Sequence, residues 1–96
     1  MEITPFQLRL IAEAAAELGA LSAMIQTGKV KPYLNKSEAF KSFGRATVEN
    51  WVKAGMITVR KDGDHSATWR IGRFEIELLS KSQTIFKLME ESHLNR

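Results

Sequence analysis

The fold is decided by residues 33–55, YLNKSEAFKSFGRATVENWVKAG, which hold two short amphipathic segments on either side of Gly44. The first segment, Asn35 to Phe43, is predicted to be a helix whose N-cap is Asn35 or Ser37. Its apolar residues repeat at helical spacing and form one face: Ala39, Phe40 and Phe43. Gly44 is expected to break this helix.

The second segment predicts a helix that begins at Arg45 or Ala46 and runs to Ala54, with Gly55 as its C-terminal glycine. The inward face of this helix is expected to hold its apolar residues, Val48, Trp51 and Val52. The remaining side chains are mostly polar and would project outward. A helix whose apolar side is packed against the core in this way can present its polar side to a partner.

A β-hairpin is predicted after the second helix. Residues Met56 to Lys61 alternate in character, with Ile57 and Val59 on one face of a strand. Asp62-Gly63-Asp64-His65 contains Asp-Gly, which is a strong hairpin-turn signal. Ala67 to Ile71 is the predicted returning strand.

The N-terminal residues predict a long helix. Thr4 and Gln7 are spaced as a capping box, and Pro5 suits the first helical position. The helix should reach about Thr27, with Gly28 as a left-handed cap. Its apolar residues cover more than the single stripe that a surface helix needs. Packing within the chain and packing against a second subunit both explain that excess.

From Arg73 onward the pattern is helical again, and the polar run 80–84 leaves open whether one helix or two follow. We expect a single domain over residues 1–96, made of an N-terminal helix (1–28), a central core (33–81) and a C-terminal helix (82–96). The predicted fold class is mainly α: a winged helix-turn-helix with a two-stranded β-hairpin wing and additional N-terminal and C-terminal helices.

Composition excludes several kinds of site. The chain has no cysteine, so it cannot hold a disulfide, a thiolate nucleophile or a zinc-thiolate centre. His65 and His93 lack partners at metal-ligand spacing, and no glycine-rich phosphate loop follows a strand. No serine or histidine lies in a recognisable catalytic context. We therefore expect a non-enzymatic protein with no cofactor, no metal and no catalytic residue.

Location is predicted from the most apolar stretch, Leu8 to Ile25. It carries Arg9, Glu13 and Glu17 and is too charged to span a membrane. The first residues lack the basic region and apolar run of a secretory signal. A cytoplasmic protein without a membrane partner is expected.

The charge distribution favours a polyanion as partner. The net charge is +3, and residues 29–81 hold eleven Lys or Arg against six Asp or Glu, whereas residues 1–28 hold one against three. A basic centre within an acidic or neutral frame is typical of nucleic-acid binding. A solvated basic surface gives the same pattern, so charge leaves both interpretations open.

The outward face of the second helix suits double-stranded DNA. In a helix-turn-helix the second helix lies in the major groove, which is about 12 Å wide. Asn50 can pair with adenine, and Arg45 can reach guanine or a phosphate, while Thr47 and Lys53 suit phosphate oxygens. Glu49 has two readings, as an acceptor for cytosine or as a residue that positions Arg45.

The candidate DNA-binding residues lie on the two short helices and on the hairpin. They are Lys36, Arg45, Ala46, Thr47, Glu49, Asn50, Lys53, Arg60, Lys61, His65 and Arg70.

A family pattern runs through the same region. Leu34-Asn35 and Glu38-Ala39 precede the spacing Thr47-Val48-x-x-Trp51-Val52-x-x-Gly55-Met56, and Arg70-Ile71-Gly72-Arg73 follows. This half of the chain resembles the excisionase and MerR-type winged helix-turn-helix. The turn, Gly44-Arg45-Ala46-Thr47, is two residues shorter than the family's usual one, which leaves open where the second helix starts.

The resemblance implies a small DNA-binding protein of a bacterial mobile element or phage. Such proteins act as transcriptional regulators or as architectural factors in excision, without catalysis. A single short unit reads few base pairs, which favours a homodimer or a side-by-side array on DNA. The alternative is a protein-protein adaptor that docks through its apolar N-terminal helix.

Overall fold

The computed structural model describes residues 2–61 and 69–94, without the side chains of 61 and 91–94. The described chain is mainly helical, as predicted, and has a small antiparallel sheet. Its elements in order are α1 (Pro5–Gln26), β1 (Tyr33–Leu34), α2 (Lys36–Phe43), α3 (Arg45–Lys53), β2 (Val59–Lys61), β3 (Trp69–Gly72) and α4 (Arg73–Leu94). The turn predicted at 62–65 lies outside the described residues.

The start of α1 is a capping box, as predicted. The Gln7 amide donates to Thr4 Oγ1 at 3.1 Å, and the Thr4 amide donates to Gln7 Oε1 at 3.0 Å. Pro5 is the first helical residue, where its missing N–H leaves no hydrogen bond unmade. Gly28 follows the helix with φ +77°, so the prediction of a left-handed cap is also confirmed.

A second capping box begins α2 and decides between the two expected caps. The Glu38 amide donates to Asn35 Oδ1 at 2.8 Å, while the Asn35 amide donates to Glu38 Oε1 at 3.1 Å. Asn35, rather than Ser37, is therefore the N-cap.

One residue, Gly44, joins α2 to α3. Its N–H donates to the Phe40 carbonyl at 2.8 Å, and its own carbonyl accepts from the Val48 N–H at 3.0 Å. Gly44 therefore ends one helix and begins the other, and α3 starts at Arg45. Its φ of +91° is a conformation that glycine adopts readily and other residues rarely do.

The sheet has three strands in the order β1-β3-β2, so the expectation of a two-stranded wing missed β1. Leu34 in β1 and Val59 in β2 both pair with Ile71 in the central strand. Because β1 is only two residues long, no alternating pattern marks it in the sequence. It exists because β3 supplies its partner.

The core lies between the sheet, α2, α3 and the first turn of α4. Its buried residues are Leu34, Ala39, Val48, Ile57, Ile71 and Ile76. Trp51 and Val52 are partly buried against this cluster, which agrees with their predicted inward position. Each of the elements around the core contributes at least one of the buried or partly buried side chains, so the core fixes their relative positions.

α4 is one continuous helix, so the C-terminal helix does not begin at 82. The polar run is accommodated within the helix: the Ser82 hydroxyl donates to the Leu78 carbonyl at 2.7 Å, and the Thr84 hydroxyl donates to the Ser80 carbonyl at 3.1 Å. These bonds satisfy the hydroxyl groups within the helix itself.

α1 packs antiparallel against α4. Lys81 forms an ion pair with Glu17 near the middle of both helices, and Ile25 at the end of α1 lines the same cleft as Phe74 at the start of α4. Among the described residues, no helix is both long enough and apolar enough to cross a membrane.

Truncating Ile76 should test the core. We expect Ile76→Ala to lower the free energy of unfolding by about 2–5 kcal/mol, because its side chain is fully buried and the change leaves a cavity. Leu78→Ala, on the same helix but 44% exposed, should cost about 1 kcal/mol or less. Urea denaturation measures both values, and equal losses would contradict the assigned core.

Candidate nucleic-acid interface

α3 has a buried side and an exposed side. Val48 is fully buried, and the other two apolar residues of the helix are half-buried against the core. The opposite side carries the residues predicted to face outward, and all but one of them are classed as exposed: Arg45, Ala46, Thr47, Asn50 and Lys53. The exception, Glu49, still has a side chain that is 45% exposed. The predicted division of this helix is confirmed.

The first turn of α3 is open to a partner. Its N-cap is Gly44, which has no side chain to cap the helix. The amides of Arg45, Ala46 and Thr47 therefore have no partner within the helix. They form the positive end of the helix dipole, which favours an anion such as a phosphate.

Arg45 and Glu49 form an ion pair on the exposed side of α3. Arg45 Nε donates to Glu49 Oε1 at 2.9 Å, one helical turn away. This geometry favours the second of the two readings for Glu49, in which it positions Arg45. An exposed pair of this kind contributes only about 0–1 kcal/mol, so a ligand can replace it at little cost.

Two of the predicted basic residues meet at one aromatic cluster. Lys36 Nζ, at the start of α2, lies 5.7 Å from the centre of the Phe40 ring and 4.7 Å from that of Trp69. Arg45 Cζ, at the start of α3, lies 5.9 Å from the same Phe40 ring. Cation–π contacts of this kind hold both charges beside the beginning of the exposed helix.

The aromatic pair beneath these charges joins the hairpin to the helices. Phe40 and Trp69 pack edge to face, with ring centres 6.1 Å apart and planes at 82°. Trp51 packs on Phe43 at 6.1 Å. Trp51 therefore has the inward packing position that was predicted for it, and Trp69 packs the sheet onto α2.

The hairpin arginines lie elsewhere. Arg60 and Arg70 are directly opposite each other on adjacent strands, on the sheet face that points away from Ile71. Arg70 Cζ is 5.2 Å from the centre of the Tyr33 ring. Both arginines line a cleft of about 360 Å³. The rest of its lining is Ile25, Pro32, Tyr33, Thr58, Gly72, Phe74 and Glu75.

The sheet thus separates the basic residues into two groups. Lys36 and Arg45 lie on the side of Trp69, and Arg60 and Arg70 lie on the opposite side, because neighbouring residues of a strand point to opposite faces. Tyr33 was not among the predicted site residues. Its place immediately before the buried Leu34 was the only signal, since alternation puts it on the outer face.

Two predicted residues cannot be placed fully. His65 and the side chain of Lys61 lie outside the described part of the chain. Within the described ranges, no group of three or more possible metal-ligating residues lies together.

Comparison with known proteins found no matching family, no matching curated protein and no matching solved structure. The geometry therefore carries the functional argument.

Glu38 fixes the start of α2 and so the position of Lys36. The backbone N–H of Asn35 and the Lys31 ammonium, which donates to Glu38 Oε2 at 2.9 Å, hold the pKa of Glu38 below 4.5. A carboxylate with a lowered pKa stabilises the fold when it is ionised. That contribution is present above the unfolded-state pKa and is lost as pH falls through the folded-state pKa.

The variant Glu38→Gln should reveal this dependence. Gln keeps an acceptor for the Asn35 amide but loses the charge that Lys31 contacts. We expect the variant to be less stable than the wild type at pH 6–7, with the difference shrinking below about pH 4.5. Urea denaturation at several pH values measures it, with exposed Glu90→Gln as a control for charge loss alone. A difference that is constant with pH would contradict the prediction.

Proposed function

We propose that this chain binds double-stranded DNA in a sequence-specific manner. In this proposal α2, Gly44 and α3 form a helix-turn-helix, β2 and β3 form its wing, and α3 is the helix that enters the major groove. The observation that carries the proposal is the exposed polar side of α3, which is held outward by the burial of Val48 on the opposite side.

Size and chemistry both support this use of α3. A helix with its side chains is about 10–12 Å across, and the major groove is about 12 Å wide. Asn50 lies in the middle of the exposed side, where a carboxamide can make two hydrogen bonds to adenine. Arg45 can leave Glu49 for a guanine or a phosphate, because their ion pair is exposed and weak.

Phosphate contacts are assigned to the beginning of α3 and to its end. The uncapped first turn, together with Lys36 and Arg45 at the Phe40 ring, concentrates positive charge at one end of the helix. Thr47 and Lys53 are exposed and suit backbone oxygens. Contacts of this kind set the register of a protein on DNA.

The wing is assigned a secondary role. The side chain of Arg60 is exposed, so it can reach a phosphate. Arg70 lies over Tyr33, which directs it along the outer face of the sheet. Lys61 and His65 complete the proposed set at the wing.

The biological role is proposed from the pattern over 47–56, which resembles excisionase and MerR-type proteins. A non-enzymatic regulator of transcription or an architectural factor in excision, encoded by a bacterial mobile element and acting in the cytoplasm, fits a small DNA-reading unit. Selection of bound duplexes from a random pool tests the proposal and supplies the target. Failure to enrich any sequence, together with no binding to random duplex DNA at low salt, would overturn it.

Asn50→Ala should lower specificity. We expect this variant to lose about 1–3 kcal/mol of affinity for the selected site, because one bidentate base contact is removed, while its affinity for random DNA is unchanged. Electrophoretic shift assays on both duplexes measure the two affinities. Equal affinity of variant and wild type for the selected site would show that α3 does not read it through Asn50.

Lys53→Ala should instead weaken binding to all sequences. Loss of one phosphate contact should make the slope of log affinity against log salt shallower by about 1. Lys87→Ala removes the same charge from an exposed position near the far end of α4 and is the matched control. Titrations over a range of salt concentrations compare the two, and an equal change in slope would contradict the assignment of Lys53.

A further inference from the structure

The packing of α1 on α4 leaves every apolar side chain of α1 either half-buried or exposed. Gln7 is the one buried residue of α1, and Ile76, the buried residue of α4 within its described side chains, belongs to the core below. The pair also makes the molecule long. Its radius of gyration is 15.6 Å, whereas a compact domain of this length has about 12–13 Å.

α1 carries an apolar stripe that no part of the described chain covers. Leu8, Ala12, Ala15, Gly19 and Ala23 recur at helical spacing, and all are exposed, with Leu8 at 59%. A Cβ atom added to Gly19 would meet nothing within 4 Å, so its small size is not needed for packing within the chain. The stripe contains no charged residue.

An exposed aromatic residue of α4 extends this surface. Phe86 is 63% exposed and lies two turns after Leu79, on the helical face that packs on the core nearer the start of α4. Since Glu17 pairs with Lys81 and the helices are antiparallel, Phe86 is level with about Ala12. Glu17 and Lys81 mark one side of the helix pair. Helical periodicity places Phe86 on the opposite side, which is also the side of the stripe.

We propose that a second copy of this chain covers this surface, so that two α1–α4 pairs form an antiparallel four-helix bundle. The proposal concerns association of the protein alone and does not depend on DNA binding. It assigns a role to the apolar excess of α1, which the core leaves unused.

The order of large and small side chains along the stripe favours a copy of the same chain as the partner. A two-fold axis near Ala15 would bring Leu8 against Ala23 of the partner subunit and Ala12 against the partner's Gly19. Leu8 of each α1 then fills the space that the small Ala23 leaves on the other α1. The small residues in the middle of the stripe let the two α1 helices approach closely. A parallel arrangement would place Leu8 against its own copy and leave the small end unfilled.

The size of the surface also fits a dimer. Two neighbouring helices of 22 residues present a face about 33 Å long and roughly 20 Å wide, or about 650 Å². A stable interface of standard size buries about 600–1,000 Å² on each partner. The face is therefore of the size that a dimer uses, once its side chains interlock.

Gly19→Glu tests the proposal without threatening the monomer. The space at Gly19 is open, and Glu is a better helix former than Gly. In the dimer, however, an unpaired carboxylate would be buried in an apolar contact. Ala20→Glu places the same charge one residue later, away from the stripe, and is the matched control.

Sedimentation equilibrium of the full chain from micromolar to several hundred micromolar protein measures the masses, and circular dichroism confirms that each variant keeps its helices. We expect the wild type and Ala20→Glu to reach twice the chain mass of 10.8 kDa, and Gly19→Glu to dimerise about 100-fold more weakly. A wild type that stays monomeric throughout, as when a different protein covers the stripe, overturns the proposal. Equal dimerisation of Gly19→Glu and wild type also overturns it.

Discussion

The burial of Ile71 in the central strand is the contact on which the rest of the structure depends. Ile71 pairs with Leu34 on one side and with Val59 on the other, and its side chain is completely buried. Because side chains alternate along a strand, an inward Ile71 requires Trp69 to point inward and Arg70 to point outward. The same residue thus holds the helices to the sheet and decides which charges lie on which side of the domain.

Local signals in the sequence were sufficient to predict where helices begin and end, because residues close together in the sequence decide these points. Thr4 with Gln7, and Asn35 with Glu38, begin helices through side-chain contacts three residues apart, and Gly28, Gly44 and Gly55 take the positive φ values that end them. The inward and outward sides of α3 were likewise predictable from spacing alone.

Features that depend on distant partners were not predictable in this way. β1 exists because residue 71 pairs with residue 34, and no local pattern in two residues reveals that. The polar run in α4 was ambiguous because hydroxyl groups can either break a helix or bond within it. The cation–π contacts of Lys36 with Trp69 and of Arg70 with Tyr33 also needed the sheet register, which brings residues far apart in the sequence together.

α4 runs from the core to the outer end of the α1–α4 pair as one continuous helix. Each residue of a helix adds about 1.5 Å of length and about 100° of rotation. The orientation of α3 relative to the outer end of the α1–α4 pair is therefore set by the number of residues in α4 after Ile76. Inserting or removing one residue there would turn the outer end of α4 against the core by nearly a third of a revolution, so α1 could not keep its positions beside both Phe74 and Lys81. Changes of seven residues would almost restore the original phase, so the length of this helix is constrained in steps rather than continuously.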